Sequence, residues 1–323
     1  MTVNSLEIPR FSGIRTFMRL PQAADGQKAD VSVIGVPFDT ATSFRPGTRF
    51  GPAALREASL ILKPYCPVVD VDILEHLTIA DYGDCPTIPG YTAESLDKIQ
   101  EHLFPFYKEN TVPVVLGGDH SITLAELRAF HEAKGPAALL HFDAHSDTVP
   151  EYFGKPYNHG SPFYHALNEG LIIPEKSIQL GIRGPLYDKH ILDYPKNKGL
   201  RIVLGDELHN RGCDAIIAEV IARLQGSPVF LTFDIDFLDA SYAPGTGTPE
   251  VEGFSTRQAL CMVRKICKTI DVAAMDLVEV LPDKDASGIT ALAGVSVIHA
   301  FLAALEWRKS NTPKKKKKKR VSR

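Results

Sequence analysis

The stretch AALLHFDAHSD, residues 137–147, decides the fold of this chain. Its first half is apolar, and its second half carries four titratable side chains at every second position. These are His141, Asp143, His145 and Asp147. Residues i, i+2 and i+4 of an extended segment point to one side. We therefore expect a buried strand whose C-terminal end presents Asp143, His145 and Asp147 together.

Similar apolar runs recur along the 323 residues and alternate with stretches of helical character. The runs are 31–37, 112–118, 177–183, 201–206, 229–236 and 272–280. The helical stretches are 92–108, 121–133, 213–225, 255–268 and 289–307. Alternation of strand and helix predicts a doubly wound α/β fold with a parallel sheet. The near-continuous apolar character of the runs indicates strands that are covered on both faces.

No Pro/Gly/Ser-rich linker divides the middle of the chain, so we expect one domain over 31–308, preceded by an irregular arm over 1–30. The five cysteines form no CxxC pair, which is typical of reduced thiols in a cytoplasmic protein. No run of 18 apolar residues and no signal-peptide pattern occurs, so we expect neither a membrane span nor secretion.

The net charge of −3 conceals an asymmetry. Residues 309–323 hold nine of the 36 basic residues and no acidic one, which leaves 27 basic against 39 acidic residues in the rest of the chain. The run PKKKKKKRVSR predicts a disordered, solvated tail. The alternative for this tail is nuclear targeting or binding of a polyanion. The acidic body argues against a nucleic-acid substrate.

Polar residues follow four of the predicted strands at the point where each strand ends. Besides the 143–147 group these are His120, Asp234, Asp236 and Glu279. Ligands of open α/β sheets bind outside the carboxyl ends of the strands. We therefore expect these side chains to form one site.

Two histidines and four carboxylates supply enough charge for two divalent cations. Buried carboxylates that lack a cation repel one another and take up protons. Mixed carboxylate and imidazole donors suit Mn²⁺, with Ni²⁺, Co²⁺, Fe²⁺ and Zn²⁺ as alternatives. Two neighbouring ions lower the pKa of a shared water, which predicts metal-assisted hydrolysis. His141 either faces this site or packs beneath it.

Glu279 ends an apolar strand, where a solitary carboxylate is costly. It pairs either with a structural arginine or with a cationic substrate group such as a guanidinium, which binds carboxylates through two hydrogen bonds.

Four ordered motifs resemble those of the ureohydrolases, the family of arginase, agmatinase and the guanidino-acid hydrolases such as guanidinobutyrase. They are GGDHSIT (117–123), HFDAHSD (141–147), FDIDFLDASYAPGTGTPEVEG (233–253) and DLVEV (276–280). The segment TSFRPGTRFGPAALR (42–56) is similar too, and the resemblance covers about residues 14–307.

The resemblance implies the arginase/deacetylase α/β fold, with an eight-stranded parallel sheet and assembly as a homotrimer or homohexamer. One Mn²⁺ is then expected on His120, Asp143, Asp147 and Asp234. The other is expected on Asp143, His145, Asp234 and Asp236. A metal-bridging hydroxide attacks the guanidinium, which Glu279 holds, and urea and an amine are released. His159, in YNHGSPF, aligns with a histidine linked to proton transfer.

The loop TVPEYFGKPYNHG (148–160) limits the range of expected substrates. It lacks the serine-containing stretch by which arginases recognise the amino-acid end of arginine, so arginine is disfavoured. We expect Lys155, Tyr157 and Thr248 to contact the substrate. If Lys155 lines the pocket mouth, it attracts the carboxylate of a guanidino acid such as 4-guanidinobutyrate. Alternatively it is a solvated loop lysine, and Glu151 could then favour agmatine.

Other guanidines, such as guanidinopropionate and free guanidine, stay open as substrates. The competing functions are a deacetylase or other metal amidohydrolase on the same fold, and a non-catalytic partner of an active subunit. A deacetylase needs one catalytic metal, so a second ligand group at His120 and Asp147 disfavours it. A non-catalytic partner should lack a ligand, and none is missing.

Overall fold

Mostly apolar runs of four to seven residues form the strands of the main sheet, and a computed structural model describes residues 6–24 and 26–311 of the chain. The strands within these ranges are β1 (Val31–Gly35), β2 (Tyr65–Cys66), β3 (Val71–Asp72), β4 (Ile79–Asp84), β5 (Val112–Leu116), β6 (Ala138–Phe142), β7 (Ile178–Ile182), β8 (Arg201–Leu204), β9 (Val229–Asp234) and β10 (Val272–Val278). The α-helices are α1 (Gly51–Ser59), α2 (Thr92–Lys108), α3 (Ile122–Lys134), α4 (Pro162–Asn168), α5 (His190–Asn197), α6 (Gly205–Arg211), α7 (Cys213–Leu224), α8 (Thr256–Cys267) and α9 (Ile289–Asn311).

Eight strands form one parallel sheet in the order β4-β1-β5-β10-β9-β6-β7-β8. Strands β2 and β3 form a separate antiparallel pair. The predicted fold class, a single α/β domain around an eight-stranded parallel sheet, is confirmed.

Successive residues of the central strands face opposite sides of the sheet and enter two different cores. Leu140 and Phe142 belong to the cluster that also contains residues of α1, α7, α8 and α9. Leu139, which directly precedes Leu140, belongs to the cluster with residues of α2, α3 and α4. Because both faces bury apolar side chains, the strands read as continuous apolar runs rather than as alternating patterns.

Strand β4 is the one sheet strand without a predicted counterpart in the sequence. It lies at the edge of the sheet and contains Asp81, which is 1% exposed. Arg56 of α1 donates to both carboxylate oxygens of Asp81, at 2.8 and 2.9 Å. The backbone N–H of Phe17 also donates to Asp81, at 2.7 Å. These partners allow a charged residue inside the strand, and this charge hides the strand from a hydropathy pattern.

The described part of the arm, within 6–30, is irregular with one 3-10 turn at Phe17–Arg19, and Phe17 is fully buried in the first core. At the other end, α9 continues to Asn311, and Lys309 is paired with Asp30 at 2.7 Å. Residues 309–311 are therefore helical rather than part of a tail. The remainder of the predicted tail, 312–323, lies outside the described residues.

Helix α9 has the length and apolar character of a membrane span. Of its most apolar window, however, 78% is buried inside the domain. Its contacts with α1 and α8 identify it as a core helix.

Candidate metal and guanidinium site

The C-terminal ends of four adjacent strands, β5, β10, β9 and β6, converge on one cleft. The structure brings together at this edge all six predicted metal ligands and the two predicted catalytic side chains. These are His120, Asp143, His145, Asp147, His159, Asp234, Asp236 and Glu279. Gly118 allows the loop after β5 to approach the 36–39 loop closely, since a Cβ there would lie 1.8 Å from the Phe38 carbonyl oxygen.

The first group of ligands surrounds Nδ1 of His120. This nitrogen lies 3.1 Å from Asp143 Oδ2, 3.0 Å from Asp147 Oδ2 and 3.2 Å from Asp234 Oδ2. It is buried, and it makes a well-aligned hydrogen bond to none of the described residues. One lone pair facing three carboxylate oxygens is the arrangement that a divalent cation requires.

The second group surrounds Nδ1 of His145, which lies 3.0 Å from Asp236 Oδ2 and 3.6 Å from Asp143 Oδ1. Asp143 thus presents Oδ2 to the first group and Oδ1 to the second. Asp234 points Oδ2 at the first group, while its Oδ1 accepts the backbone N–H of Asp236 at 2.8 Å. Of the two residues expected to bridge, Asp143 shows both contacts.

The electrostatics of the cluster are those of crowded buried acids. Burial, with the charges of Asp236 and Asp143, raises the pKa of Asp234 well above its usual value. Burial and the charge of Asp143 raise the pKa of Asp236 to about 6. Burial opposes the charged form of Asp143 too, yet His141 and His120 hold the pKa of Asp143 well below its usual range. Bound cations would replace the protons that such a group otherwise retains.

His141 packs beneath the site rather than facing it. Its Nε2 lies 2.6 Å from Asp143 Oδ2, and its Nδ1 lies 3.0 Å from the Gln179 side-chain nitrogen. The ring packs against Phe163 with centroids 4.3 Å apart. His141 therefore orients Asp143 and is itself held by its neighbours.

Glu279 follows β10 in the left-handed backbone region, with φ of 63°, which is unusual for a residue with a side chain. Its Oε1 accepts the His120 backbone N–H at 2.9 Å and lies 3.0 Å from His159 Nδ1. Its Oε2 is buried without a partner among the described residues and lies beside Gly247, where a Cβ would come within 3.4 Å. The Glu279 carboxylate forms a salt bridge with no arginine among the described residues, so the alternative that Glu279 pairs with a structural arginine is wrong.

His159 joins Glu279 to the loop before α1. Its Nε2 lies 2.6 Å from the Ser43 hydroxyl, and the Ser43 backbone N–H is 3.1 Å from the same nitrogen. Burial disfavours the charged ring, but the Glu279 carboxylate outweighs it and raises the pKa of His159 to about 9. The Ser43 backbone N–H donates to Nε2 and therefore disfavours a second proton on the His159 ring. His159 is thus a proton-carrying group that contacts both Glu279 and Ser43, which lies in the loop before α1.

A cavity of about 480 Å³ opens above the clustered ligands. Its lining includes His145, Asp147, His159, Thr248 and Glu250. Aromatic side chains of three separate loops complete it. These are Phe44, Tyr152, Phe153 and Tyr187.

Lys155 and Tyr157 do not line this cavity. They lie instead on a neighbouring cavity of about 550 Å³, together with residues 91–94 around the start of α2. Tyr152 and Lys155 exchange both backbone hydrogen bonds across a tight turn in which Phe153 and Gly154 have positive φ. This turn directs Lys155 away from the metal cleft. Glu151 is exposed and lines neither cavity.

Three residues of the site were not predicted. Ser43 contacts His159, and Glu250 Oε1 lies 3.8 Å from His145 Nε2, on the far side of the ring from its Nδ1. Arg183 donates to the five backbone carbonyls of the 236–238 and 250–251 segments, including Asp236 at 2.6 Å. Nothing in the sequence pattern marks Arg183, whereas Ser43 lies in the quoted segment 42–56 and Glu250 follows Thr248 within a quoted motif.

Comparison with known proteins adds independent support for the nature of this site. Residues 29–304 match the model of the arginase family. Guanidinopropionase of Pseudomonas aeruginosa is 38% identical over 94% of this chain and 95% of its own length. Agmatinase of Proteus mirabilis is 40% identical over 92% of this chain and 93% of its own. Proclavaminate amidino hydrolase of Streptomyces clavuligerus has a solved structure that superposes with a TM-score of 0.89 at 37% identity, covering 93% of this chain and all of that one.

The match extends over nearly the whole domain, and the predicted resemblance is confirmed. The chain therefore belongs to the arginase family, and it is a hydrolase that acts on the carbon–nitrogen bonds of guanidino compounds.

Proposed function

We propose that this chain is a binuclear metal-dependent ureohydrolase that releases urea from a small guanidino compound, either 4-guanidinobutyrate or a similar guanidino acid, or agmatine. The observation that carries the proposal is the unpartnered, buried Oε2 of Glu279 beside six metal-type ligands. An anionic oxygen without a donor inside a protein is costly, and a guanidinium N–H would satisfy it.

The two ligand groups fit two divalent cations. His120, Asp143, Asp147 and Asp234 would hold one ion. His145, Asp143, Asp234 and Asp236 would hold the other. The mixture of imidazole and carboxylate favours Mn²⁺, with Ni²⁺ as the alternative. Bound there, the ions would supply Lewis acidity and a water of lowered pKa at neutral pH.

The chain's own side chains account for the remaining steps. Glu279 would orient the guanidinium, because its Oε1 is fixed by His120 N–H and His159 while Oε2 is free. His159 would hold a proton at Nδ1 or Nε2 and pass it to the departing amine. Ser43, 2.6 Å from Nε2, would relay a proton from solvent in the cavity to that nitrogen, taking up one proton as it gives up its own. Thr248 would contact the substrate from the cavity wall.

The far end of the substrate stays open between a carboxylate and an ammonium. Lys155 was the reason to favour a guanidino acid, and it lies on the neighbouring cavity. Among the described residues that line the 480 Å³ cavity there is no lysine or arginine, while Glu250 lies within it. The relatives named above act on substrates of both kinds, by their names. A deacetylase gains no support from the cleft, since two ligand groups are present.

Assembly as a homotrimer or homohexamer, and a cytoplasmic location, stay predictions from the sequence. The same holds for the absence of nucleic-acid and membrane partners.

The test is a urea-release assay on agmatine, 4-guanidinobutyrate, 3-guanidinopropionate, arginine and guanidine, with Mn²⁺ or Ni²⁺ supplied. Metal analysis of the reconstituted protein should approach two ions per chain. Asp143→Asn should bind less than one ion, because Asp143 contacts both groups, whereas Asp193→Asn on the exposed part of α5 should bind as the natural chain does. Full activity with a single ion, or no urea from any substrate, would refute the proposal.

A further inference from the structure

A chain of buried polar side chains runs beneath the metal cleft, and the proposed function does not use it. Its members come from α2, α3, β9 and β10, and none of them is exposed. They are Tyr107, Glu126, Thr232 and Asp276. Polar groups this deep in a core are costly unless each one finds a partner.

The upper end of the chain touches a proposed metal ligand. Thr232 Oγ1 lies 2.9 Å from Nε2 of His120, the nitrogen opposite the one that faces the carboxylates. Thr232 of β9 lies directly across from Asp276 of β10 in the sheet. Asp276 accepts the Thr123 hydroxyl at 2.7 Å and the Phe233 backbone N–H at 3.3 Å.

The lower end of the chain is formed by Glu126 and Tyr107. Tyr107 donates its hydroxyl to Glu126 Oε2 at 2.9 Å, while Glu126 Oε1 is buried without a hydrogen-bond partner among the described residues. Burial, and then the charge of Asp276, raises the pKa of Glu126 well above its usual value. Asp276 itself accepts from both donors that contact it, the Thr123 hydroxyl and the Phe233 backbone N–H, and so acts as an acceptor in this chain.

The directions of the upper hydrogen bonds follow from this. Because Asp276 is an acceptor directly across from Thr232, the Thr232 hydroxyl proton can turn toward this carboxylate, and the Thr232 oxygen then accepts from His120. His120 then carries its proton on Nε2 and leaves the Nδ1 lone pair free toward Asp143, Asp147 and Asp234.

We infer that Thr232, with Asp276 across from it in the sheet, is a positioning residue that fixes His120 in the one tautomer able to bind a cation through Nδ1. The inference rests on the proposed function only in taking His120 as a metal ligand. Partners of this kind behind a ligating histidine commonly change metal affinity by about 10- to 100-fold when they are removed.

The experiment compares two buried threonines, Thr232 and Thr123, that both lie beside the Asp276 carboxylate. Thr232→Val removes the acceptor for His120, whereas Thr123→Val removes a hydroxyl that donates to Asp276 and has no contact with His120. Mn²⁺ affinity of the metal-stripped variants is measured by electron paramagnetic resonance of free Mn²⁺, and stability by thermal unfolding. Both valines should lower the unfolding temperature. Only Thr232→Val should weaken binding of one of the two ions, by about tenfold or more.

Thr232→Ser, which retains the hydroxyl, should restore the affinity. If Thr232→Val does not fold, Thr232→Cys serves in its place, since a thiol is a poor acceptor. Two Mn²⁺ bound by Thr232→Val as tightly as by the natural chain would overturn the inference and leave the proposed function intact. A natural chain that binds no Mn²⁺ would overturn both.

Discussion

Glu279 combines two features that a structural residue has no reason to have, a left-handed backbone and a buried oxygen without a partner. Strained backbone conformations concentrate at functional sites, where the surrounding structure holds them. Its N–H is held by the Gly118 carbonyl at 2.9 Å, and one carboxylate oxygen is held by His120 and His159. The free oxygen is thus fixed in place before any ligand arrives.

Glu279→Gln tests this role. The amide oxygen can keep both bonds of Oε1, so the fold and the metal content should survive. Loss of the charge removes a charge-assisted hydrogen bond worth about 1.5–3 kcal/mol. We expect kcat/KM for the guanidino substrate to fall at least about tenfold. Steady-state kinetics and metal analysis check this, and loss of metal or fold instead would assign Glu279 a structural role.

His159 gives a pH dependence whose sign can be stated. Its pKa of about 9 lies above the value of about 6.5 in an unfolded chain. The folded state therefore binds the proton more tightly, and the resulting stability is complete below about pH 6.5 and is lost as the pH rises through 9. It amounts to about 3 kcal/mol.

The measurement is urea-induced unfolding of the metal-free protein and of His159→Asn at pH 6 and at pH 10. The natural chain should be the more stable at pH 6, and most of the difference should vanish at pH 10. A difference that is constant over this range would mean that the Ser43 N–H keeps the ring neutral.

At the scale of elements, the strands that carry the site were predictable because each is a short apolar run that ends in polar ligands. Helix α2 spans 92–108, as predicted. The missed elements have physical reasons. Strand β4 contains a neutralised charge, and α1, α4, α5 and α6 are only seven to nine residues long, too short to show a clear period.

The turn at 152–155 shows where sequence reasoning failed for the site. Lys155 was expected near the pocket mouth because its loop joins Asp147 to His159, but positive φ at Phe153 and Gly154 reverses the chain. Phenylalanine rarely adopts positive φ, so the identity of residue 153 gives no sign of this turn in the sequence.

Lys155→Met should therefore leave the ratio of kcat/KM for 4-guanidinobutyrate and agmatine unchanged. Glu250→Gln is the matched comparison, because this carboxylate does line the cavity. It should shift the ratio toward 4-guanidinobutyrate, since removal of a negative charge lessens repulsion of the substrate carboxylate. A changed ratio in Lys155→Met alone would show that the loop closes over the substrate.

At the scale of the whole molecule, the family match ends at residue 304 and the last described helix ends at Asn311. The basic run beyond it has no apolar periodicity to join the core. A chain that ends after Asn311 should keep the unfolding temperature and the urea-release rate of the full chain. Assays of the two side by side check this, and loss of activity on truncation would assign the basic run a part in catalysis.

The parallel arrangement of the sheet has a consequence for the order of events in folding. His120 and Asp234 lie more than one hundred residues apart and meet only when β5, β10 and β9 are paired. Contacts so distant in the chain form slowly, and no cation can be bound by both residues before they form. Mn²⁺ should therefore leave the refolding rate in stopped-flow experiments nearly unchanged and should slow unfolding. The ions would then stabilise the metal-bound protein by raising its barrier to unfolding, and they would not act as a nucleus for folding.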